Sequence, residues 1–355
     1  MGHQSLTSPR LISFGTPLHK VERGGTNEVS DGVRMVIFFI AFLILSFNLA
    51  SAQTAFDPQL IGVGVRALGM GRAAAAVSDG GDAGFNNPAA LGEVDHFKFT
   101  SMSGKILEDA NYISFGGIYP LGQQSAVGMG YVGSFVSGIE IRDTNGTLSR
   151  RADFGNSLII ASYGKKIAER TSLGLNLKYY SVSASEITAG NGNGWNLDFG
   201  LLQSGINCCS LGIIGQNLLS SGKIRYQSGK SENLPMTLKI GSKIYLLGGN
   251  FGAAFDAPVE LNAAVDFDFY WDSARTSGIH SGLEFSPVQA LCLRAGMDQN
   301  LPTAGISLYL SGLGFHYAYR PDSDFIGSAC HFFSITFNER GWPPEQAPDT
   351  YLGEL

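Results

Sequence analysis

The sequence predicts an all-β protein, an antiparallel transmembrane β-barrel of about 14 strands with a short N-terminal hatch or plug segment. The first observation is strict alternation, as in residues 172–179, where every second residue is apolar. Since successive side chains of a strand point to opposite faces, this pattern makes one face apolar and the other polar. The second is length: many segments run about ten residues or more, enough for a tilted strand to cross a bilayer. The third is the regular alternation of short and long connections between the segments.

The composition agrees with a barrel. Only 15% of the 355 residues are charged and 47 are glycine, as expected where lipid-facing apolar residues alternate with lumenal polar residues and glycines. A formal net charge of −6 gives no reason to expect a nucleic-acid partner. We expect no cofactor.

The N-terminal region has the features of an export signal. An apolar run opens at Met35 after Arg34 and ends near Ala50-Ser51-Ala52, a small-residue cleavage pattern. The run is short for a transmembrane helix. We therefore divide the chain into an extension (1–34), a signal peptide (35–52), a hatch (53–92), the barrel (93–337) and an acidic, disordered tail (338–355).

The barrel segments can be drawn one by one. The even-numbered connections between predicted strands are mostly very short, as expected for periplasmic turns, although 247–259 is a long exception. The longest odd-numbered connections span 137–153, 186–192 and 218–233, as expected for outer loops. The predicted strands lie near 93–103, 110–120, 124–136, 154–168, 171–185, 193–203, 207–217, 234–246, 260–272, 276–287, 289–298, 302–311, 312–321 and 327–337.

Alternation also assigns the two faces of the wall. The expected lipid-facing residues are Leu197, Phe199, Leu201, Val265, Phe267, Phe269, Leu291, Leu293, Ile306, Leu308, Ile335 and Phe337. The expected lumenal residues are Asn196, Asp198, Lys239, Lys243, Asp266, Asp268, His280, Glu284, Arg294, Asp298, His316 and Arg320.

A polar lumenal network is the main candidate site in the wall. It comprises Asp266, Asp268, His280, Glu284 and Arg294. Carboxylates near a histidine can do acid–base work or hold a metal. However, neighbouring strands must place polar residues in the lumen in any case, so we favour a structural network, with no catalytic or metal role.

The hatch is rich in small residues, which must dock against something apolar. Within it, Gly69 and Gly71 either allow close packing against the wall or let the hatch move, and the two roles are compatible. Asn87-Pro88 punctuates a turn.

The four cysteines do not form a disulfide framework in this interpretation. Cys208 and Cys209 are adjacent in a predicted strand, so their side chains should point to opposite faces. Cys292 and Cys330 fall three strand spacings apart, beyond disulfide reach. The spacing also fits no zinc template.

Several phrases in order resemble the PorV/PorQ-type family of outer-membrane barrels, which is itself similar to FadL-type channels for hydrophobic compounds. The phrases cover nearly the whole mature chain. They are residues 66–71 (RALGMG), 76–79 (AVSD), 87–91 (NPAAL), 234–241 (LPMTLKIG), 293–296 (LRAG), 316–319 (HYAY), 322–324 (DSD) and 331–337 (HFFSITF).

The resemblance implies a fourteen-stranded barrel with a lumenal hatch, in which Arg66, Gly69, Gly71, Asn87 and Pro88 are the hatch residues carried by the phrases. It implies two functions: a PorV-like role in type IX-like protein secretion or surface attachment, with a FadL-like passive channel for hydrophobic small molecules as the alternative. An outer-membrane enzyme is a third hypothesis that we disfavour. The expected location is the outer membrane of a Gram-negative-type bacterium, reached through the cleavable signal peptide.

The partners that the resemblance implies are outer-membrane lipids, the barrel-assembly machinery, and either exported proteins or hydrophobic small molecules. One departure is the tail after Phe337, because barrels of this type commonly end at the terminal aromatic residue.

Overall fold

Fourteen long strands of the described chain form a barrel wall that closes on itself. The computed structural model describes residues 55–339, except 78–79, 107–109, 187, 220, 249–257, 272–275 and 322–328. All pairings between the described strands are antiparallel, and the sheet closes through the pairing of Thr171–Ala184 with Gly192–Ile206. Two further short strands, Lys223–Tyr226 and Ser231–Asn233, form a hairpin attached to Gly192–Ile206. The predicted all-β barrel is therefore confirmed.

The strands of the wall follow the chain in order. They are β1 (Lys98–Ile106), β2 (Ala110–Gly122), β3 (Ser125–Arg142), β4 (Leu148–Ala168), β5 (Thr171–Ala184), β6 (Gly192–Ile206), β7 (Cys209–Gln216), β10 (Thr237–Leu247), β11 (Glu260–Tyr270), β12 (Gly278–Val288), β13 (Leu291–Asp298), β14 (Leu301–Leu310), β15 (Leu313–Pro321) and β16 (Ala329–Asn338). The small hairpin consists of β8 (Lys223–Tyr226) and β9 (Ser231–Asn233).

The wall has two distinct ends. We call the end with the tight connections after β2, β4, β6, β12 and β14 the turn end, and the opposite end the loop end. Both the start of β1 and the end of β16 lie at the turn end, because these two strands pair antiparallel from Lys98 and Asn338. The N-terminal segment must therefore leave the lumen at the turn end before it enters the wall.

Each predicted strand overlaps an observed one, and three differences from the prediction change the description of the fold. The first strand begins at Lys98 and not near 93, because Pro88–Glu93 forms a 3-10 helix capped by the Asn87 side chain. The predicted loop 137–153 is mostly a hairpin, since β3 and β4 continue past their neighbours. The predicted loop 218–233 contains the β8–β9 hairpin.

The outer face of the wall is apolar and exposed, as expected for contact with lipid. Phe267, Leu308 and Ile335 are 43%, 54% and 50% exposed. Leu201 is the exception among the predicted lipid-facing residues, because it is buried beside Ile213, its register partner on β7. The predicted lumenal residues are all buried or partly buried.

A segment without strands precedes the wall. We call residues 55–97 the plug; it contains 3-10 helices at Pro58–Ile61 and Pro88–Glu93 and short helices at Val65–Gly69 and Ala83–Asn86. No helix in the described ranges is both long and apolar enough to cross a membrane. The predicted extension, signal peptide and all but the first two residues of the acidic tail lie outside the described residues.

Candidate functional site

The plug runs through the lumen from the loop end to the turn end. At its start, the Ala55 amide donates to the Asn233 carbonyl of β9, at the loop end, over 2.7 Å. Near its end, the Ser172 hydroxyl donates to Glu93 over 3.0 Å at the turn end of β5. Between these two points the plug contacts the wall on several sides. The lumen and the plug together are therefore the candidate site.

Lumen-facing glycines of the wall make room for the plug backbone. A Cβ on Gly174 would lie 2.1 Å from the Pro88 carbonyl carbon, and one on Gly212 would lie 2.0 Å from the Ala75 oxygen. Both distances are shorter than real contacts allow, so these positions admit no side chain without movement of the plug. The same holds, against other plug atoms, for Gly130, Gly164, Gly200, Gly282 and Gly296, with slightly longer approaches at Gly116 and Gly305. We call these nine positions the glycine belt.

The two predicted hatch glycines form the other half of this contact. Gly69 lies against Gly305, where an added Cβ would be 3.1 Å from the Gly305 Cα. Gly71 has a φ of +65°, and a Cβ there would be 2.4 Å from the Met297 oxygen. Backbone therefore packs on backbone at these two positions.

Arg66 joins the plug to the wall through a buried ion cluster. Its Nε donates to Glu284 over 2.7 Å, and Arg294 on the next strand donates to the same carboxylate over 2.6 Å. The Glu284 and Arg294 side chains are 6% and 1% exposed. One buried carboxylate thus accepts from two guanidinium groups, one from the plug and one from the wall.

A second charged contact forms around Arg72, which sequence reasoning did not single out. Its guanidinium lies 3.4 Å from Asp298 and 3.7 Å from Asp268. His280 lies between the same two carboxylates, 2.9 Å from Asp298 and 3.4 Å from Asp268. Lys239 also contacts Asp268, over 2.8 Å. The available signal was Arg72 itself, since a cation in a segment of mostly small and apolar residues needs an anion when it is buried.

The remaining predicted network residues bind the plug through its backbone. One Asp266 oxygen accepts from the amides of Ala74 and Ala75, each over 2.8 Å. The His280 Nδ1 lies 3.0 Å from the Gly71 carbonyl oxygen. The five predicted lumenal residues are therefore brought together, and four of them contact the plug directly.

Asn87 and Pro88 fix the plug on the opposite side. The Asn87 side chain donates to the Ala75 carbonyl over 2.7 Å and to the Leu201 carbonyl of β6 over 3.2 Å, and accepts from the Ala89 amide. Pro88 takes the first helical position, where its missing N–H costs nothing.

A further polar network lies in the loop-end half of the lumen; the sequence assigned only Asp198 of its members to the lumen and did not predict the network. The Tyr180 hydroxyl lies 2.8 Å from Asp57 of the plug, and Asn217 donates to the same carboxylate over 3.0 Å. Beside it, Lys178 and Asp198 form an ion pair of 2.9 Å in which both side chains are fully buried. The signal was the polar alternation of residues 176, 178 and 180 on β5.

The lumen is apolar on one side of its loop-end half. We call this region the apolar chamber; it is lined by inward-facing residues of β1 to β5 and β16, namely Met102, Ile106, Tyr112, Val132, Leu158, Ile160, Tyr180, Val182 and Phe332. The plug residues Ile61, Val63, Val65 and Leu68 fill it. The Tyr112 hydroxyl donates towards the Pro58 and Gly62 carbonyl oxygens, which positions this part of the plug.

Tyr226 of the β8–β9 hairpin packs against the chamber. Burial raises the pKa of Tyr226, and its hydrogen bond to Glu232 raises it further. The phenol therefore stays a protonated donor, which holds the hairpin together above the chamber.

Small cavities lie among the described residues of the plug and the wall. Two between the plug and the wall have volumes of about 40 and 20 Å³, and one of about 20 Å³ lies within the plug. An apolar cavity that binds benzene measures roughly 150 Å³. These three cavities are therefore of a size for water, and an aromatic hydrocarbon fits into none of them unless the residues that line it move. Among the described residues, no group of three or more metal-ligating side chains is arranged around a common point.

Comparisons with known proteins identify the fold. No family model and no curated protein matches the sequence. Among solved structures, the chain is similar to the toluene transporter TodX of Pseudomonas putida, with a TM-score of 0.54 and 11% identity over 81% of this chain and 98% of that one. It is also similar to the toluene transporter TbuX of Ralstonia pickettii, with a TM-score of 0.51 and 14% identity over 78% of this chain and 97% of that one.

A third similar structure is the monoaromatic hydrocarbon channel CymD, with a TM-score of 0.51 and 15% identity over 80% of this chain and 98% of that one. At such low identity these matches show a shared fold. The chain therefore has the barrel fold of these hydrocarbon channels, which confirms the predicted barrel, while the resemblance to the PorV/PorQ-type and FadL-type families stays a prediction.

Proposed function

We propose that this protein is a passive channel for hydrophobic small molecules. The observation that carries the proposal is the apolar chamber inside the lumen. A water-filled pore for polar solutes lines its lumen with polar side chains, whereas Leu158, Ile160, Val132 and Phe332 point inward here and are almost fully buried. An apolar molecule loses contact with water in such a chamber, which is favourable.

The three hydrocarbon channels that share the fold support the same function. Their names describe transport of toluene or of monoaromatic hydrocarbons. They favour the FadL-like alternative over the PorV-like secretion role that the sequence placed first.

The plug explains how such a channel stays closed. Its central part is locked between the glycine belt and the lumenal charges, whereas residues 55–65 fill the chamber mainly with apolar side chains. A hydrophobic substrate can replace these apolar contacts with contacts of the same kind, whereas the hydrogen bonds of Asp57 with Tyr180 and Asn217 must break before the first plug residues can move. We therefore propose that substrate enters from the loop end and takes the place of the first plug residues.

The other expectations follow from this function. We place the protein in an outer membrane, to which the signal peptide at 35–52 directs it and where the barrel-assembly machinery inserts it. Its partners are then membrane lipids and hydrophobic solutes. We propose no catalytic role, because the lumenal carboxylates and His280 hold the plug.

Protein secretion is the second candidate function. The observation that favours it is the β3–β4 hairpin, whose residues 137–153 extend beyond the neighbouring strands at the loop end and could receive an exported protein. Replacing 139–152 by a short turn should abolish cargo display if this role is correct, and should leave hydrophobic uptake unchanged if the channel role is correct.

Uptake by intact cells tests the channel function. Cells that lack the gene, and the same cells carrying it on a plasmid, are compared for accumulation of radiolabelled toluene and of a radiolabelled disaccharide. We expect the plasmid to restore toluene uptake several-fold and to leave the disaccharide unchanged. Equal toluene uptake with and without the protein would contradict the proposal.

Leu158→Gln, on the inward face, should reduce toluene uptake when the variant reaches the same surface level as the wild type. Ser157→Gln, on the outward face of the same strand, is the matched control.

A further inference from the structure

Two adjacent cysteines meet at the turn end of the barrel, which differs from the sequence-based expectation. Cys208 lies in the turn between β6 and β7, and Cys209 is the first residue of β7. Because the turn interrupts the strand alternation, the two side chains do not point to opposite faces. Their Sγ atoms are 3.8 Å apart, and both residues are partly exposed.

The local backbone explains this contact. Ile206 pairs with Cys209 across the end of the hairpin, so Asn207 and Cys208 form a two-residue turn. Asn207 has a φ of +53°, the left-handed conformation that such turns require and that asparagine tolerates. The turn therefore brings the two thiols together by its own geometry, at a place that solvent reaches.

A disulfide between them is disfavoured. Adjacent Cα atoms are about 3.8 Å apart across a trans peptide, whereas disulfides usually need about 4.4–6.8 Å. A bond here would be strained and easily reduced. The pair is therefore best described as two neighbouring thiols.

The spacing of the two sulfurs fits a metal ion. Zinc–sulfur bonds of about 2.3 Å at the tetrahedral angle place two sulfur ligands about 3.8 Å apart, and the Sγ–Sγ distance is 3.8 Å. We propose that Cys208 and Cys209 form a two-thiolate binding site for a thiophilic divalent cation such as Zn²⁺ at the turn end of the barrel. Water completes the tetrahedron, since the described residues supply no third ligand nearby.

The binding step is an exchange of ligands without redox change. Each thiol releases its proton to water, two sulfur–metal bonds form, and two metal-bound waters leave. Proton release makes the affinity rise with pH. Because two protein ligands give a weaker site than the four of a structural zinc site, this cation is exchangeable and the barrel folds without it.

Zinc titration of the full chain tests this site. The protein is purified in detergent without a histidine tag, reduced and desalted, and Zn²⁺ alone is titrated against a chromophoric chelator. We expect the wild type to bind one Zn²⁺ per chain at this site. In Cys208→Ser and in Cys209→Ser the affinity for this ion should be at least tenfold weaker. Cys292→Ser and Cys330→Ser, at buried positions in the wall, should bind as the wild type does.

A second readout reports sulfur ligation itself. Titration with Cd²⁺ should produce a thiolate-to-metal charge-transfer band in the ultraviolet that is absent from both turn variants. Wild-type affinity in Cys208→Ser and Cys209→Ser, or no zinc binding by the wild type, would overturn the proposal. Both substitutions are at partly exposed turn positions, and heat-dependent gel mobility verifies that the barrels fold.

Discussion

At the scale of single residues, the plug is held by charges that are shared between it and the wall. Glu284 accepts from Arg66 of the plug and from Arg294 of the wall, and all three groups lie inside the barrel. Burying charges in this way costs free energy unless each has its partner. Removing the carboxylate and removing the plug arginine should therefore destabilise the barrel by different amounts.

Glu284→Gln should destabilise the barrel more than Arg66→Met. The first change removes the buried carboxylate that both guanidinium groups contact, which costs about 3–5 kcal/mol. The second leaves Glu284 still paired with Arg294 and costs about 1–2 kcal/mol. The temperature at which the folded band disappears on a denaturing gel measures this order.

The matched control is Glu140→Gln, which breaks an exposed pair with Arg142 on the β3–β4 hairpin. An exposed ion pair contributes about 0–1 kcal/mol, so this variant should unfold at nearly the same temperature as the wild type. A larger loss for Arg66→Met than for Glu284→Gln would show that the cluster is not arranged as described.

At the scale of elements, the strands of the wall are shaped to receive the plug. Register partners Gly164, Gly174 and Gly200 lie side by side on β4, β5 and β6 and contact the Asn87–Leu91 stretch of the plug. Gly282 and Gly296 do the same on β12 and β13 for Met70 and Gly71. Glycine weakens a strand, so these positions are explained by the backbone that lies against them.

Gly174→Ala and Gly212→Ala should loosen the plug. The added methyl group overlaps plug backbone, and overpacking of this kind costs about 1–3 kcal/mol. Limited proteolysis in detergent should cut the plug faster in both variants. Gly117→Ala is the control, because Gly117 lies on β2 with no atom closer than 3.8 Å to an added Cβ. Equal cleavage of all four proteins would contradict the role of the belt.

The strands also show which parts of the fold can be predicted from the sequence. Alternation located all fourteen wall strands, because one lipid-facing side leaves a period of two in the sequence. It missed the outer length of β3 and β4, where Ile139 and Ile141 still alternate but glycines and Asn145 indicate a loop. It could not pair Asp57 with Tyr180 and Asn217, since those partners are 123 and 160 residues away.

At the scale of the whole molecule, the lumen has two chemical sides. Charged residues of β10 to β13 fix the plug, and apolar residues of β1 to β5 and β16 form the chamber that its first residues fill. The fold is shared with hydrocarbon channels. The lumen is therefore polar where it holds the plug and apolar where the first plug residues close it. This arrangement suits the proposed channel for hydrophobic solutes.

Photolabelling tests this claim most directly. Outer membranes that contain the full chain are irradiated with a benzyl diazirine, with and without excess toluene, and labelled residues are identified by mass spectrometry. Inward residues Tyr112, Leu158 and Phe332 each have an outward neighbour in sequence, namely Ile113, Ile159 and Phe333. We predict labels on the inward member of each pair that toluene suppresses. Labels confined to the outward members and insensitive to toluene would contradict a hydrophobic channel through this lumen.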